Sequence, residues 1–268
     1  MSSESVGQRL GRWRASKDLG RRINTQKFHR EIVDLFNRYW LDLEQSVESV
    51  TFDQLTDFAK SISPFCPSRY NTAVSALRFI TEKAMILKRR RRRFRQFTPP
   101  SQMQFTALLT ECDKLPKSNA GVIVRFLSLT GLRISEARAL TWDRVSEEHI
   151  EVCADSAKNG KRRRVPLLPG ARELLAKMRA RATSAAVLPH RNIRTGLAKA
   201  CKRAGLPVLS YHSFRHIFAT RAIEAGVDLP TVASWLGHQD RGVLLAECYM
   251  HVLTDHSRRM AEKVRIVI

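Results

Sequence analysis

Lys88 to Arg93 is a run of six consecutive cations, followed by Phe94-Arg95-Gln96-Phe97 and then Thr98-Pro99-Pro100. Like charges on adjacent residues repel one another, and the proline pair removes amide donors and disfavours helix before it. A single packed core cannot run through such a stretch. The chain is therefore expected to fold as two domains with a boundary near residue 97 and an extended basic linker over residues 88–100. At 268 residues it has enough length for a sizeable core on either side. Lys88, Arg89, Arg90, Arg91, Arg92 and Arg93 are expected to track a phosphate backbone, the alternatives being a solvated helix tail or a localisation signal.

Before the linker the pattern is helical. Phe28, Ile32, Leu35, Phe36, Tyr39 and Leu43 recur at three- and four-residue spacing, and Tyr70, Val74, Leu77, Ile80 and Ala84 repeat it. Residues 51–60 read as a short helix capped by Thr51 or Asp53. Residues 23–87 are thus expected to form an all-helical domain, with residues 1–22 a basic N-terminal extension. After the linker helices are expected near 170–182, 191–204, 212–225, 229–237, 242–250 and 255–264. One strand signal interrupts them: His149 to Cys153 and Arg163 to Leu167 flank Lys158-Asn159-Gly160-Lys161, and Asn-Gly marks a hairpin because both residues tolerate positive φ. The fold class is mainly α with a small antiparallel β-sheet, an α+β domain over residues 101–268.

Charge names the partner class. Lysine and arginine total 47 against 25 acids, a formal net charge of +22 that draws a polyanion such as nucleic acid, the alternative being the basic character that ribosomal or merely very soluble proteins share. The five cysteines are odd in number and contain no Cys-x-x-Cys pair, which points to a reducing cytosol without a zinc site or disulfide framework. No apolar run approaches the roughly 18 residues of a membrane span, so a cytoplasmic, DNA-associated protein is expected.

Against that background four clusters carry chemistry. Thr130-Gly131-Leu132-Arg133-Ile134-Ser135-Glu136 follows an apolar helix; Gly131 can end that helix left-handed and project Arg133 from a tight turn, with Glu136 placed to hold the guanidinium. His212 and Arg215, three apart on a helix, combine a fork for two phosphate oxygens with a proton acceptor. His216 and Arg221 lie close by, facing phosphates or water. Leu236-Gly237-His238 repeats the glycine stop, directing an imidazole back toward the site. Tyr249, eleven residues beyond His238, is the one tyrosine after that triplet and reads as a nucleophile aimed at phosphorus. Zinc is disfavoured, since His-Ser-Phe-Arg-His sets an arginine between the two histidines and no glutamate at the second position.

These motifs, in this order, resemble the catalytic domain of the tyrosine recombinase (phage integrase) family over about residues 98–268. Thr-Gly-Leu-Arg-Ile-Ser-Glu is similar to its first arginine box, His-Ser-Phe-Arg-His to its second, Leu-Gly-His to its third, and Tyr249 to its terminal nucleophile. The helical N-terminal part resembles the family's core-binding domain. The His238–Tyr249 interval is two residues longer than the commonest form, a departure in loop geometry. The resemblance implies two domains clamping DNA and a 3′-phosphotyrosyl intermediate leading to a Holliday junction. Arg133, Lys158, His212, Arg215, His238 and Tyr249 would be catalytic, Glu136 would support them, and Lys161 is either a DNA contact or the catalytic lysine in place of Lys158. It further implies neither metal nor ATP. The partners implied are duplex DNA with inverted half-sites and a homotetramer in which the apolar tail Val264-Arg265-Ile266-Val267-Ile268 is exchanged between protomers. A type IB topoisomerase-like enzyme and a non-catalytic DNA-binding accessory protein are the competing expectations. Residues 1–22 are too few for a separate arm-binding domain, which favours a simple recombination site.

Overall fold

The computed structural model describes residues 4–21, 23–91, 97–115, 119–155, 161–188, 192–238 and 261–262. The chain divides into two compact units, Met1–Phe94 and Arg95–Ile268. Their described residues are mostly helical, with one two-stranded sheet.

The first unit packs four helices: α1 (Val6–Asp18), α2 (Ile23–Tyr39), α3 (Phe52–Ser61) and α4 (Pro67–Ile80). Ser5 starts α1 with a capping box, its hydroxyl accepting from the Gln8 N–H while Gln8 accepts from the Ser5 N–H. Thr51 and Gln54 do the same for α3. Phe36, Trp40 and Phe58 stack in the core, with Phe36 and Phe58 centroids 4.5 Å apart.

Here the sequence expectation for residues 1–22 needs correction. Val6–Asp18 is not an extension: this helix, α1, packs on α2 and α4, and Val6, Leu10 and Trp13 are buried in the same core as Ile32, Phe36 and Leu77. The reason lies in dilution. Three apolar residues form one narrow stripe, while Arg9, Arg12, Arg14 and Lys17 make the segment read as uniformly basic.

The start of the basic run is likewise not a bare extended strand. The Arg90 guanidinium stacks on the Tyr70 ring at 4.1 Å and donates to the Ser63 carbonyl, and its backbone exchanges two hydrogen bonds with the Asn71 amide. Arg89 donates to Ser75 Oγ. A carbonyl ahead of α4, an aromatic face in its first turn and a hydroxyl farther along it give these guanidiniums intramolecular partners that composition cannot reveal. Lys88 and Arg91 are exposed; Arg92 and Arg93 lie outside the described residues.

The second unit is built on α6 (Ala120–Thr130), whose Ile123, Val124, Phe126 and Leu127 are buried. Around it lie α5 (Gln102–Asp113), α8 (Pro169–Arg179) and α10 (Tyr211–Glu224), with α9 (Arg194–Arg203) on α5 and α11 (Leu229–Leu236) on α10. A single turn, α7 (Ile134–Arg138), follows α6. Strands β1 (His149–Val152) and β2 (Arg163–Pro166) pair antiparallel with Ile150 opposite Val165 and Val152 opposite Arg163. Ile150, Val152 and Val165 turn into the core. The expected helix at 242–250 and the Asn159-Gly160 turn lie outside the described residues, as does all but Ala261 and Glu262 of the one at 255–264.

Trp13 makes the membership of α1 testable. Trp13→Ala is expected to destabilise the first unit by about 3–5 kcal/mol, the range for emptying a buried aromatic site. Lys17→Ala, on the exposed face of the same helix, should stay within about 0.5 kcal/mol. Urea denaturation followed by circular dichroism separates the two; equal, small effects would return residues 1–22 to the status of an appendage.

Candidate active site

Two helix ends organise this site. Helix α6 stops at Gly131 with φ +63°, and a Cβ there would lie 2.5 Å from Phe218 Cδ1 and 2.9 Å from Leu236 Cδ2. Both the left-handed turn and the close approach require glycine. Helix α11 stops in the same way at Gly237, φ +67°, where the His238 N–H returns to the Ala233 carbonyl. His238 thereby leaves the helix at a fixed angle.

Arg215 joins the two ends. It is only 3% exposed, and its Nη1 donates to the Gly131 carbonyl at 2.9 Å while Nη2 donates to the Leu236 carbonyl at 2.5 Å. Carbonyls at a helix C-terminus lack intrahelical donors and carry the negative end of the dipole, so a buried cation is matched to both.

Past Gly131, Arg133 opens α7. Its backbone N–H donates to Glu136 Oε2 (2.9 Å) and its Nη1 to Oε1 (2.8 Å), as the spacing suggests. Glu136 has no exposed side-chain surface, and a second guanidinium, that of Arg163 on β2, meets the same carboxylate through Nη1 (3.1 Å) and Nη2 (2.7 Å). Burial acts to raise the Glu136 pKa, but the hydrogen bonds and charge of Arg163, joined by the hydrogen bonds of Arg133, outweigh it and hold the carboxyl below its usual range. Arg163 was missed from the sequence because it sits inside Arg162-Arg163-Arg164. Period-two alternation was the available signal, since Arg163 shares a strand face with buried Val165.

A cavity of about 580 Å³ lies alongside, lined among others by Arg133, Ser135, Arg194, Tyr211, His212 and Arg215. His212 is exposed at the start of α10, its ring edge-on to His216 at 4.7 Å. His216 does not face solvent as expected; it packs against Phe97 at 5.3 Å. Burial, then the charges of His212, Arg215 and His238, push its pKa down to about 4, so it stays neutral. Arg221 also departs from expectation, bonding Glu224 and the Pro100 carbonyl. Tyr211 accepts the Ile193 N–H at 3.0 Å, a bond that fastens the start of α9. Lys161 is exposed just before β2; Lys158 and Tyr249 lie outside the described residues.

Arg133, just past the end of α6, Arg215, reaching that end from within α10, and His212 line one cavity, an arrangement that suits the binding of a phosphate diester. A model of the phage integrase family matches residues 101–256. The chain belongs to the phage integrase family. A relative, the tyrosine recombinase XerD of Corynebacterium glutamicum, is 34% identical over 154 residues, which cover 52% of this chain and 50% of that protein. The chain spans about half the length of the curated relatives it matches. Among solved structures, a Tn1549 transposon integrase fragment in complex with transposon right end DNA superposes with a TM-score of 0.75 at 15% identity, covering 97% of this chain and 99% of that one. A lambda integrase tetramer bound to a Holliday junction gives a TM-score of 0.72 at 14% identity, covering 88% and 78%. These likenesses fix the fold as that of the family's DNA-bound members.

His216 gives the integrase fold a pH dependence of definite sign. Its folded pKa lies below the unfolded value, so the unfolded chain takes up a proton first as pH falls. The associated stability is complete above about pH 6.5 and is lost as pH falls toward 4, on the order of 2 kcal/mol with allowance for partial solvent screening. His216→Leu should flatten the urea midpoint across that window, whereas an unaltered slope would assign the dependence to other groups.

Proposed function

We propose that this chain is a site-specific DNA recombinase that cuts and rejoins strands through a 3′-phosphotyrosyl bond. The observation that carries the reading is the pair of arginines, Arg133 two residues past Gly131 and Arg215 of α10 bonded to the Gly131 carbonyl, lining one cavity with His212. Family membership supports it.

Arg133 and Arg215 hold the non-bridging oxygens of the scissile phosphate and offset the charge that grows in the pentacoordinate transition state. The Tyr249 oxygen attacks phosphorus as His212 takes its proton; the bond to the 5′-oxygen breaks, and Lys158 protonates the departing alkoxide. Lys161 is the alternative donor. His238 donates a hydrogen bond to the phosphate. The phosphotyrosyl ester conserves the bond energy for rejoining, so neither ATP nor a metal ion enters the scheme. The 268 residues supply two DNA-binding parts: the helical unit with Lys88 to Arg93, and the catalytic unit.

The assembly that fits this chemistry is a homotetramer on two duplexes with inverted half-sites, passing through a Holliday junction. The apolar tail Val264 to Ile268, outside the described residues, is exchanged between protomers. Among the described residues no helix is long and apolar enough to cross a membrane, consistent with action on DNA in the cytoplasm.

Tyr249→Phe removes one oxygen and should abolish covalent attachment to a nicked duplex while leaving half-site affinity within about threefold, as expected for an interaction made only in the transition state. A persistent adduct would move the nucleophile elsewhere. For the proton donor, Lys158→Ala should slow an ordinary phosphodiester far more than one with a 5′-bridging sulfur, whose leaving group needs no proton. If Lys158→Ala slows both alike and Lys161→Ala shows the selective pattern, the donor is Lys161.

A further inference from the structure

Arg163 belongs to none of the motifs above, yet from β2 it touches two of the elements that carry them, α7 and the end of α11. Its Nη1 and Nη2 donate to the two oxygens of Glu136, and its Nε donates to the Trp235 carbonyl at 2.8 Å, in the last turn of α11. Its side chain is 8% exposed and packs against Gly237 so closely that a Cβ there would lie 3.1 Å from both Cδ and Nη1. The residue itself is in β2, the strand that follows the segment bearing Lys158.

We propose that Arg163 is a positioning residue that fixes Arg133 and His238 relative to each other and to the hairpin, without touching the DNA itself. This rests on the recombinase reading. The physics is one of shared demand. A buried carboxylate must have its charge and its lone pairs satisfied. With Arg163 in place, Glu136 takes one guanidinium nitrogen, Nη1, and one backbone N–H from Arg133. Arg133 thus remains at the cavity wall with donors to spend on a phosphate. Without Arg163, the same carboxylate has one cation left to satisfy it and draws the Arg133 fork inward. The carbonyl of Trp235 simultaneously loses its donor, which frees the turn at Gly237 and lets His238 drift. Arginine alone supplies three donors in a rigid plane; a lysine would replace the charge and at most part of the bonding.

The effect is therefore expected in turnover and not in binding. A misplacement of about 1 Å in a catalytic group costs roughly a hundredfold in rate. The test measures single-turnover covalent complex formation on nicked duplex DNA at saturating protein, together with half-site affinity. The wild-type protein comes first: no adduct from it sinks the recombinase reading, whatever Arg163 does. Given a wild-type adduct, Arg163→Met should form it about a hundredfold more slowly with affinity changed less than threefold, and Arg163→Lys should recover about tenfold of that loss. An unchanged rate, or a loss that tracks affinity, overturns the assignment.

Arg163→Met leaves a buried carboxylate short of a partner and can fail to fold. In that event the neutral pair Arg163→Met with Glu136→Gln is compared with Glu136→Gln alone. Glu136→Gln keeps the Arg163 bond to the Trp235 carbonyl and the pair loses it, so the pair is expected to be about tenfold slower than the single variant with affinity changed less than threefold. Matching rates, a loss that tracks affinity, or a pair that does not fold while Glu136→Gln does, makes Arg163 a folding residue and ends the proposal.

Discussion

The Arg215 guanidinium is buried between the C-terminal ends of α6 and α11, and the geometry around the cavity depends on it. Each end supplies a carbonyl that has no helical partner, at 2.9 and 2.5 Å. Taking a guanidinium out of water costs several kcal/mol unless hydrogen bonds and opposite charge replace the lost hydration. Two helix termini aimed at one point do so with backbone atoms, which cannot swing away as a side chain does. The two glycines that end the helices follow from this: a Cβ at Gly131 would displace Phe218 and Leu236, and one at Gly237 would press on Arg163.

A second constraint is the balance of charge. Arg133, Arg163 and Arg215 converge here, and among the described residues Glu136 is the one carboxylate bonded to the first two. The surplus is positive, which suits a phosphate. His216 does not add to it. Packed under Phe97 and close to Arg215, it is held neutral, so it adds bulk and no further cation.

The first unit solves a different problem, burying enough apolar surface in a segment crowded with arginines. Helix α1 turns Val6, Leu10 and Trp13 inward and leaves its cations outside. Arg9 reaches the carbonyl end of α4 at Ile80 and pairs with Glu4, so part of the basic character is spent on cohesion. Arg89 and Arg90 are spent in the same way against α4. A count of basic residues therefore overstates how many cations stand ready for a polyanion.

Features that depend on a few consecutive residues were legible without coordinates. The helix stops at Gly131 and Gly237, the cap at Thr51, the alternating strands around Ile150 and Val165, and the Arg133–Glu136 contact each follow from backbone preference or from the reach of a side chain over one turn. The order of the boxes made the second unit recognisable. Long-range satisfaction was not legible. Arg215 finds its partners 84 and 21 residues away, and nothing in its neighbours in sequence marks it as buried; Arg163 meets Glu136 across 27, and its local signal is no more than the strand face it shares with Val165. The same holds for α1, whose three apolar residues gain meaning from the surfaces of α2 and α4, and for His216, whose charge state was decided by Phe97 and by cations on other turns. Local conformation is set by short-range sterics, which the sequence alone determined here; the fate of a charged or sparsely apolar residue is set by what faces it in space, and only the tertiary structure decided that.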